Sequence, residues 1–258
     1  MKITILNDNV PGRHCLSEFG LSYLVEADKK ILFDTGSTDV FLRNSRLINV
    51  SLTDIDAVVL SHGHWDHGNG LSNIQGYKLI CHPGVFKKRY NKKDRQYIGL
   101  KLTMAEINER FQLITTATPF YISPEMIFLG EIPRLNDFEA TSTHFYDETG
   151  NDDFVDDDSA LAVITGKGLV IISGCAHAGI CNTIDYAMKI TGINKINAVI
   201  GGFHLKSDEG RTMKTIQYLK KLDIPNIYPS HCTSLSALAK FYEAFKIHQV
   251  VTGDYFNF

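Results

Sequence analysis

The apolar residues of this chain gather in short runs separated by polar turns, and their spacing predicts where strands and helices form. In the first part of the chain the runs are short and bounded by polar or glycine residues, which is typical of strands. The predicted strands are 2–6, 21–25, 31–33, 57–60 and 77–81, with the second and third joined as a hairpin. A helix is predicted over 38–46, with Ser37 or Thr38 as its N-cap.

From Ser159 onwards the same kind of pattern returns. The predicted strands are 160–165, 169–173, 197–200, 226–228 and 249–252. Apolar positions three or four residues apart predict helices over 180–188, 213–222 and 235–245. We expect Gly192 to end the first of these helices and Thr233 or Ser234 to cap the last. Strands therefore open each half of the chain, and helices follow them.

The segment between these two parts, about 83–158, is less regular and has too few apolar residues to hold a core of its own. It contains a helix predicted over 104–110, a basic cluster interpreted as solvated surface with a dedicated anion site as the alternative, and an acidic run interpreted as an exposed loop. The basic cluster comprises Lys87, Lys88, Arg89, Lys92, Lys93 and Arg95, and the acidic run comprises Asp147, Glu148, Asp152, Asp153, Asp156, Asp157 and Asp158. We predict a single domain over 1–258, with this segment inserted as a flap or cap.

The composition excludes several classes of protein. The 258 residues carry a formal net charge of -3, so no overall positive field attracts nucleic acid or acidic membranes. No apolar run is long enough to cross a bilayer, and the N-terminus becomes polar too early for a signal peptide. The five cysteines are irregularly spaced and do not form the framework of a disulfide-rich protein. We therefore expect a cytoplasmic protein with neither a membrane nor a nucleic acid as its partner.

One polar segment has a high density of metal-binding side chains. His62, His64, Asp66 and His67 fall within six residues, directly after the strand predicted at 57–60. Imidazole nitrogens and carboxylate oxygens suit divalent transition metals such as zinc. His62 and His64 are two residues apart and can share one metal, while Asp66 and His67 can bind a second. A polar loop that is rich in histidine by chance would seldom place four such residues together.

Three further histidines supply ligands that one loop cannot provide alone. His177, His204 and His231 each lie within four residues of the end of a predicted strand. Side chains at the same ends of adjacent strands converge in space. We therefore expect an active site at one rim of a sheet.

The motif at 62–67 resembles the HxHxDH signature of the metallo-β-lactamase superfamily, and the motif at 33–36 resembles the earlier aspartate motif of that superfamily. The resemblance covers essentially the whole chain. It implies an α/β (α+β) fold, a four-layer αββα sandwich in which two mixed sheets face each other and helices cover their outer faces. It also implies that the metals lie at one edge of the sheets.

A narrower resemblance is to the subfamily named for 7,8-dihydropterin-6-methyl-4-(β-D-ribofuranosyl)aminobenzene-phosphate synthase. The segments that carry it are 130–134, 157–158, 174–180, 201–205 and 231–233. This resemblance implies chemistry on a phosphorylated pterin precursor, although members of the subfamily are spread more widely than that pathway.

The chain departs from the usual pattern of the superfamily at two ligand positions. The region 155–158 lacks the histidine that many members have there, and Cys175 stands where a bridging aspartate is common. His177 could replace the missing imidazole. The resemblance then implies one ligand set of His62, His64 and His177 and a second set of Asp66, His67 and His231. Cys175 either bridges the two metals or packs as an inert buried thiol.

The resemblance also implies roles for residues around the metals. Asp34 is expected to accept the free N–H of a metal-bound imidazole and so to fix its orientation. His204 is expected to protonate the leaving group or to bind the substrate. Asp66 would orient the nucleophile as well as bind metal, and Arg134 is a candidate for binding a phosphate or carboxylate.

Together these features predict a hydrolase with two divalent metal ions, acting on a phosphoester or a related small-molecule ester. Zinc is the expected metal, with manganese and iron as alternatives, and the expected substrate is a small anion. A group-transfer enzyme of pterin biosynthesis is the first alternative function. A di-iron redox protein, or a metal-binding protein without turnover, is the second.

Overall fold

The apolar runs form the strands of two main β-sheets. The computed structural model describes residues 1–206 and 209–258. Its strands are β1 (Lys2–Asn7), β2 (Ser22–Glu26), β3 (Lys30–Phe33), β4 (Ala57–Val59), β5 (Lys78–Cys81), β6 (Arg89–Asn91), β7 (Gln112–Thr115), β8 (Phe120–Tyr121), β9 (Met126–Phe128), β10 (Phe145–Asp147), β11 (Asp152–Asp153), β12 (Ala160–Thr165), β13 (Gly168–Ser173), β14 (Ile196–Gly202), β15 (Asn226–Ser230) and β16 (Tyr255–Asn257). Its α-helices are α1 (Val40–Leu47), α2 (Trp65–Gly68), α3 (Met104–Arg110), α4 (Ile180–Thr191), α5 (Glu209–Lys221) and α6 (Leu235–Phe245). Short 3₁₀ helices occupy Asn69–Asn73 and Pro83–Phe86.

Both main sheets are mixed. Among the described residues, the first sheet has the strand order β16-β1-β2-β3-β4-β5-β7, and the second has the order β15-β14-β13-β12-β9-β8. In the first sheet, β3, β4, β5 and β7 run parallel and the other pairs are antiparallel. In the second sheet, β13, β14 and β15 run parallel and the other pairs are antiparallel.

The two sheets pack face to face over a shared apolar core. Phe33 and Val59 of the first sheet lie in the same buried cluster as Ile172 and Ile200 of the second. Successive residues of a strand point to opposite faces, so the residues next to these point outward. The inner layer of the core therefore lies between the sheets.

Helices cover the two outer faces. Val58 packs in one cluster with Phe41 of α1, and Val199 packs in another with Ile184 of α4 and Phe241 of α6. This arrangement confirms the predicted four-layer αββα sandwich. Within the described part of the chain, no helix is both long enough and apolar enough to cross a membrane.

The segment predicted as a flap or cap contributes to three sheets. Strand β7 joins the first main sheet, β8 and β9 join the second, and β6, β10 and β11 form a small three-stranded sheet of their own. The interpretation of the charged residues here as solvated was wrong for Arg89, Asp153, Asp157 and Asp158, which are all buried. The cost of burying these charges is offset because Arg89 pairs with both Asp153 and Asp157. In addition, Asp153 and Asp158 each accept a backbone N–H.

Two details of the predicted elements were wrong. Helix α1 begins after Asp39, and Thr38 does not cap it because its hydroxyl donates to Glu18 Oε2 at 2.6 Å. The hydroxyl of Ser37 likewise donates to the carbonyl of Phe19. The last strand is β16, not 249–252, because the chain turns at Gly253 (φ 95°) before it pairs with β1.

Candidate metal centre

The predicted ligands lie where parallel strands of both sheets end. The loop after β4 carries His62 and His64, and the short helix α2 starts directly after His64 and presents Asp66 and His67. The loops after β13, β14 and β15 carry the other histidines of the site. The carboxyl ends of these strands form a common rim between the two sheets, so ligands distant in sequence meet there.

The first ligand set joins His62, His64 and His177. Their ligand nitrogens lie within 4.8 Å of one another, and all three side chains are buried. His62 Nε2 lies 3.0 Å from His64 Nδ1. The ring centroids of His62 and His177 are 4.8 Å apart. The structure thus brings together the three residues that were predicted to share one metal.

The second ligand set joins Asp66, His67 and His231. Their ligand atoms also lie within 4.8 Å of one another. Asp66 Oδ2 is 3.3 Å from His231 Nε2 and 3.7 Å from His67 Nε2, and the two Nε2 atoms are 3.1 Å apart. These are the residues predicted for the second metal.

Residues behind the ligands fix the orientation of the imidazole rings. The contact predicted for Asp34 is present, since its Oδ2 accepts the Nδ1–H of His67 at 2.6 Å. Asp34 also accepts the backbone N–H and the hydroxyl of Ser61, both at 2.7 Å. His231 Nδ1 lies 3.1 Å from Asn9 Oδ1. Sequence analysis missed Asn9 because it lies 222 residues from His231 and has no motif around it.

The contacts of Asn9 and His67 with His231 show whether a cation fits the second set. Asn9 Oδ1 also accepts the N–H of Gly20, which identifies it as the oxygen of the amide, so His231 Nδ1 is the donor. In their neutral forms, His67 and His231 would both direct an unprotonated Nε2 toward the same point, as metal-binding histidines do. Two lone pairs 3.1 Å apart repel each other unless a cation or a proton lies near them. The donor set therefore fits a metal ion.

A buried nitrogen without a hydrogen-bond partner indicates that a metal ion also fits the first set. Within the described part of the chain, the buried Nε2 of His177 has no hydrogen-bond partner. A buried polar atom without a partner costs about 1–3 kcal/mol, and a bound metal would remove that cost.

The protonation states of the ligands suit metal binding. Burial lowers the pKa of His62 and of His177 well below the ordinary range, and it lowers the pKa of His64 to about 3. Burial acts to raise the pKa of Asp66, but the neighbouring His67 and the hydrogen bond with His231 outweigh it and hold that pKa low. The imidazoles of the first set are therefore neutral and Asp66 is ionised, as ligands must be.

His231 differs from the other ligands. Burial acts to lower its pKa, but the hydrogen bond with Asp66 and nearby negative groups raise it to about 9. His231 therefore pairs as a cation with Asp66 when no metal is present. A metal at this set would replace that proton and bind the same two side chains.

Cys175 lies between the two ligand sets. Its Sγ is 3.2 Å from His67 Nε2, and it groups with His62 and His67 within 4.8 Å. Burial raises the pKa of its thiol well above the usual range. Cys232, a residue that sequence analysis did not single out, lies beside it and donates to the carbonyl of Cys175 at 3.5 Å.

One glycine allows the rims of the two sheets to approach each other. A Cβ atom at Gly174 would lie 2.0 Å from Ser61 Oγ and 3.0 Å from Asp34 Oδ2. Any side chain at this position would displace the Asp34 network that orients His67. The small residue before Cys175 is therefore required by the packing of the site.

A cavity opens beside the first ligand set, and we call it the cationic cavity. Its volume is about 260 Å³. It is lined by Ala140, Ser142, Thr143, His144, Phe145, Phe154, Val155, His177, His204, Lys206 and Arg211. The ring of Phe145 lies 4.9 Å from that of His64 and 5.6 Å from that of His177, so the small sheet covers this part of the site.

The two predicted substrate-binding residues occupy different places. The ring of His204 is 4.2 Å from that of His177 and lines the cationic cavity. Arg134 is not among the lining residues, because its guanidinium donates to the carbonyl of Phe154 at 2.7 Å and pairs with Asp156 at 3.2 Å. Sequence analysis missed the two cations at the cavity, Lys206 and Arg211, since neither has a motif around it.

Comparison with known proteins agrees with the fold and with a metal-dependent enzyme. A model of the metallo-beta-lactamase superfamily matches residues 17–97. The 7,8-dihydropterin-6-methyl-4-(beta-D-ribofuranosyl)-aminobenzene-5'-phosphate synthase of Methanocaldococcus jannaschii is 36% identical over 252 residues, covering 89% of this chain and 86% of that protein. The crystal structure of Tm1679, described as a metal-dependent hydrolase of the beta-lactamase superfamily, has a TM-score of 0.90 at 29% identity, covering 100% of this chain and 99% of its own.

A more distant structure shares the fold alone. Zn²⁺-bound PqqB from Methylobacterium extorquens has a TM-score of 0.60 at 14% identity, covering 100% of both chains. The fold and the two ligand sets define a metal-dependent enzyme. The chain belongs to the metallo-beta-lactamase superfamily, and within it the chain is similar to the dihydropterin synthase of Methanocaldococcus jannaschii named above and to Tm1679.

Metal content should report directly on the two ligand sets. We expect about two ions per chain in the native protein and about one fewer in His177→Ala and in His231→Ala, because each set loses one of its three ligands. Elemental mass spectrometry of the purified proteins measures this. His248→Ala, a change at an exposed histidine on the surface, is the control and should leave the content unchanged. Full metal content in the His177 variant would contradict the first set.

Proposed function

We propose that the protein is a dinuclear zinc-dependent hydrolase that acts on a small phosphoester or a related anionic ester. The observation that supports this most directly is the cationic cavity, which joins Lys206 and Arg211 to the first ligand set through His177 and His204. Arginine and lysine are the side chains that bind phosphate most strongly. The cavity volume of about 260 Å³ is close to the lower end of the range for small-molecule sites.

The predominance of imidazole among the ligands favours zinc over manganese or iron. When bound, two such ions lower the pKa of water and stabilise negative charge that develops on the substrate. Asp66 is ionised and lies between His67 and His231, so it can accept a hydrogen bond from the attacking water and orient it. A small anion, and neither a membrane nor a nucleic acid, is thus the partner that we propose.

His204 is placed to donate a proton to the leaving group. Within the described residues its Nδ1 has no hydrogen-bond partner, and its ring lies beside that of His177 at the mouth of the site. Its backbone N–H donates to Cys232 Sγ at 3.2 Å, which fixes the residue in the left-handed region (φ 47°). A histidine at the edge of the cavity, beside the first ligand set, suits a general acid.

Lys206 lines the cationic cavity and is expected to bind the phosphate of the substrate. With a panel of small phosphomonoesters and phosphodiesters, Lys206→Ala should raise KM about three- to tenfold for the best substrate, with little change in kcat. The lysine would bind the phosphate equally in the ground state and the transition state. Lys101→Ala is the matched control, because Lys101 is also exposed but lines a separate cavity beside Trp65. Hydrolysis of uncharged esters only, with KM unaffected by either change, would contradict a phosphoester substrate.

A second function is favoured by the similarity to the dihydropterin synthase of Methanocaldococcus jannaschii. At 36% identity over 89% of this chain, that relative suggests group transfer on a phosphorylated pterin precursor. Phe145 and Phe154 line the cationic cavity and could stack on a flat ring there. A rise in melting temperature with pterins but not with phosphoesters would favour this function over hydrolysis.

A further inference from the structure

Two adjacent carboxylates are buried between the loops that carry the first ligand set. Asp157 and Asp158 are 2% and 1% exposed. Asp157 Oδ2 accepts the backbone N–H of Gly63 at 2.7 Å, and Asp158 Oδ2 accepts the backbone N–H of Ala178 at 2.9 Å. The side chains of one dipeptide therefore bind two loops that are more than a hundred residues apart in sequence.

Each of these N–H groups belongs to a peptide next to a metal ligand. Gly63 stands between His62 and His64, and Ala178 directly follows His177. The first two ligands extend from the first sheet and the third extends from the second sheet. The dipeptide therefore spans the gap across which the first set is assembled.

Asp157 is held in place by a buried arginine. Arg89 Nη2 lies 2.7 Å from Asp157 Oδ1, and Nη1 lies 3.2 Å from Oδ2. The guanidinium is fully buried and also pairs with Asp153 at 3.1 Å. Such a bidentate pair restricts the geometry of a carboxylate as well as strengthening its hydrogen bonds.

The loop that Asp157 binds is confined on another side as well. A Cβ atom at Gly63 would lie 2.0 Å from the carbonyl oxygen of Val85, so the backbone there packs directly against backbone. The N–H of Ser159 donates to the carbonyl of Ser61 at 2.9 Å. Gly63 is thus fixed between Val85 and the segment that carries the two carboxylates.

Within the described part of the chain, no buried guanidinium forms a bidentate pair with Asp158 as Arg89 does with Asp157. Among the described residues, its buried Oδ1 has no hydrogen-bond partner. A buried carboxylate with an unsatisfied oxygen destabilises a fold, so its presence here calls for a function other than stability. The hydrogen bond that its Oδ2 accepts comes from the loop of His177.

We propose that Asp157 and Asp158 are positioning residues that set the distance between His62 and His64 on one loop and His177 on the other. They contact the backbone of the ligand loops and no ligand nitrogen, so they act through the ligands. This inference rests on the first ligand set, and it does not depend on which substrate the enzyme hydrolyses.

The test compares pairs of variants in the full-length protein. Zinc affinity is measured by competition with a chromogenic chelator, and the melting temperature is measured on the same samples. We expect Asp158→Ala to weaken the binding of one zinc ion about 10–100-fold, which is the usual effect of losing an outer partner of a ligand. Asp158→Asn should restore the affinity, because its amide oxygen can still accept the N–H of Ala178.

Asp157→Ala and Asp153→Ala form a matched pair. Both remove a carboxylate from Arg89 and both should lower the melting temperature, but only Asp157 reaches a ligand loop. We therefore expect weaker zinc binding in Asp157→Ala alone. Equal zinc affinity in these two variants, or full affinity in Asp158→Ala, would overturn the proposal. If Asp157→Ala does not fold, the Asp158 pair decides the question.

Discussion

Replacing Asp66 with alanine is expected to lower turnover by more than about a hundredfold and to remove about one metal ion per chain. This loss is larger than the loss expected when a residue that only hydrogen-bonds to a ligand is replaced. Asp66 brings the negative charge to the second set, where its Oδ2 lies 3.3 Å from His231 and 3.7 Å from His67. Without it, two imidazoles remain to hold the ion, and no carboxylate orients the attacking water. The effect should therefore appear in kcat as well as in metal content.

Turnover of a chromogenic phosphoester and elemental analysis of the same samples test this prediction. Asp56→Ala is a suitable control, because that carboxylate lies at the surface and pairs with Lys29. Replacement there should leave both readings unchanged. Native turnover in Asp66→Ala at saturating zinc would show that Asp66 has no part in the chemistry.

A second large effect is expected at Asp34. This fully buried carboxylate accepts the backbone N–H and hydroxyl of Ser61 and the Nδ1–H of His67. Asp34→Ala would leave these donors buried without an acceptor, at a cost of about 1–3 kcal/mol each. The free energy of unfolding should therefore fall by about 3–5 kcal/mol, and zinc affinity by about 10–100-fold, because His67 is no longer oriented. Urea denaturation and chelator competition measure the two losses.

Asp34→Asn separates orientation from stability. Its amide oxygen can still accept from Ser61, so the loss in unfolding free energy should be smaller. Its NH₂ group would face His67 Nδ1 and favour the tautomer that protonates Nε2, the nitrogen that must bind metal. Zinc affinity should thus fall although the fold is retained. Native zinc affinity in this variant would mean that the tautomer of His67 is not set by Asp34.

Much of the fold and most of the ligands could be predicted from local pattern. The strands were found because their apolar residues recur in short runs, and the candidate ligands were singled out because four of them crowd one loop and the others follow strands. Both signals are contained within a few residues, so neither requires knowledge of the packing. The layered architecture came from the resemblance to a superfamily and not from the pattern alone.

The features that escaped prediction depend on contacts between distant residues. Arg89 lies in a lysine-rich stretch that is typical of solvated surface, yet its partners Asp153 and Asp157 lie more than sixty residues further along the chain. Asn9 holds His231 across 222 residues. No local pattern distinguishes these residues from exposed ones, because burial is decided by the tertiary structure.

The division of the ligands between the sheets has a consequence for how the molecule holds together. His62, His64, Asp66 and His67 follow a strand of the first sheet, whereas His177 and His231 follow strands of the second. Each bound ion would therefore act as a non-covalent cross-link between the two halves of the sandwich, and its binding free energy would add to the stability of the interface between them. Loss of the ions would then loosen the protein first along its catalytic edge, so that inactivation precedes unfolding.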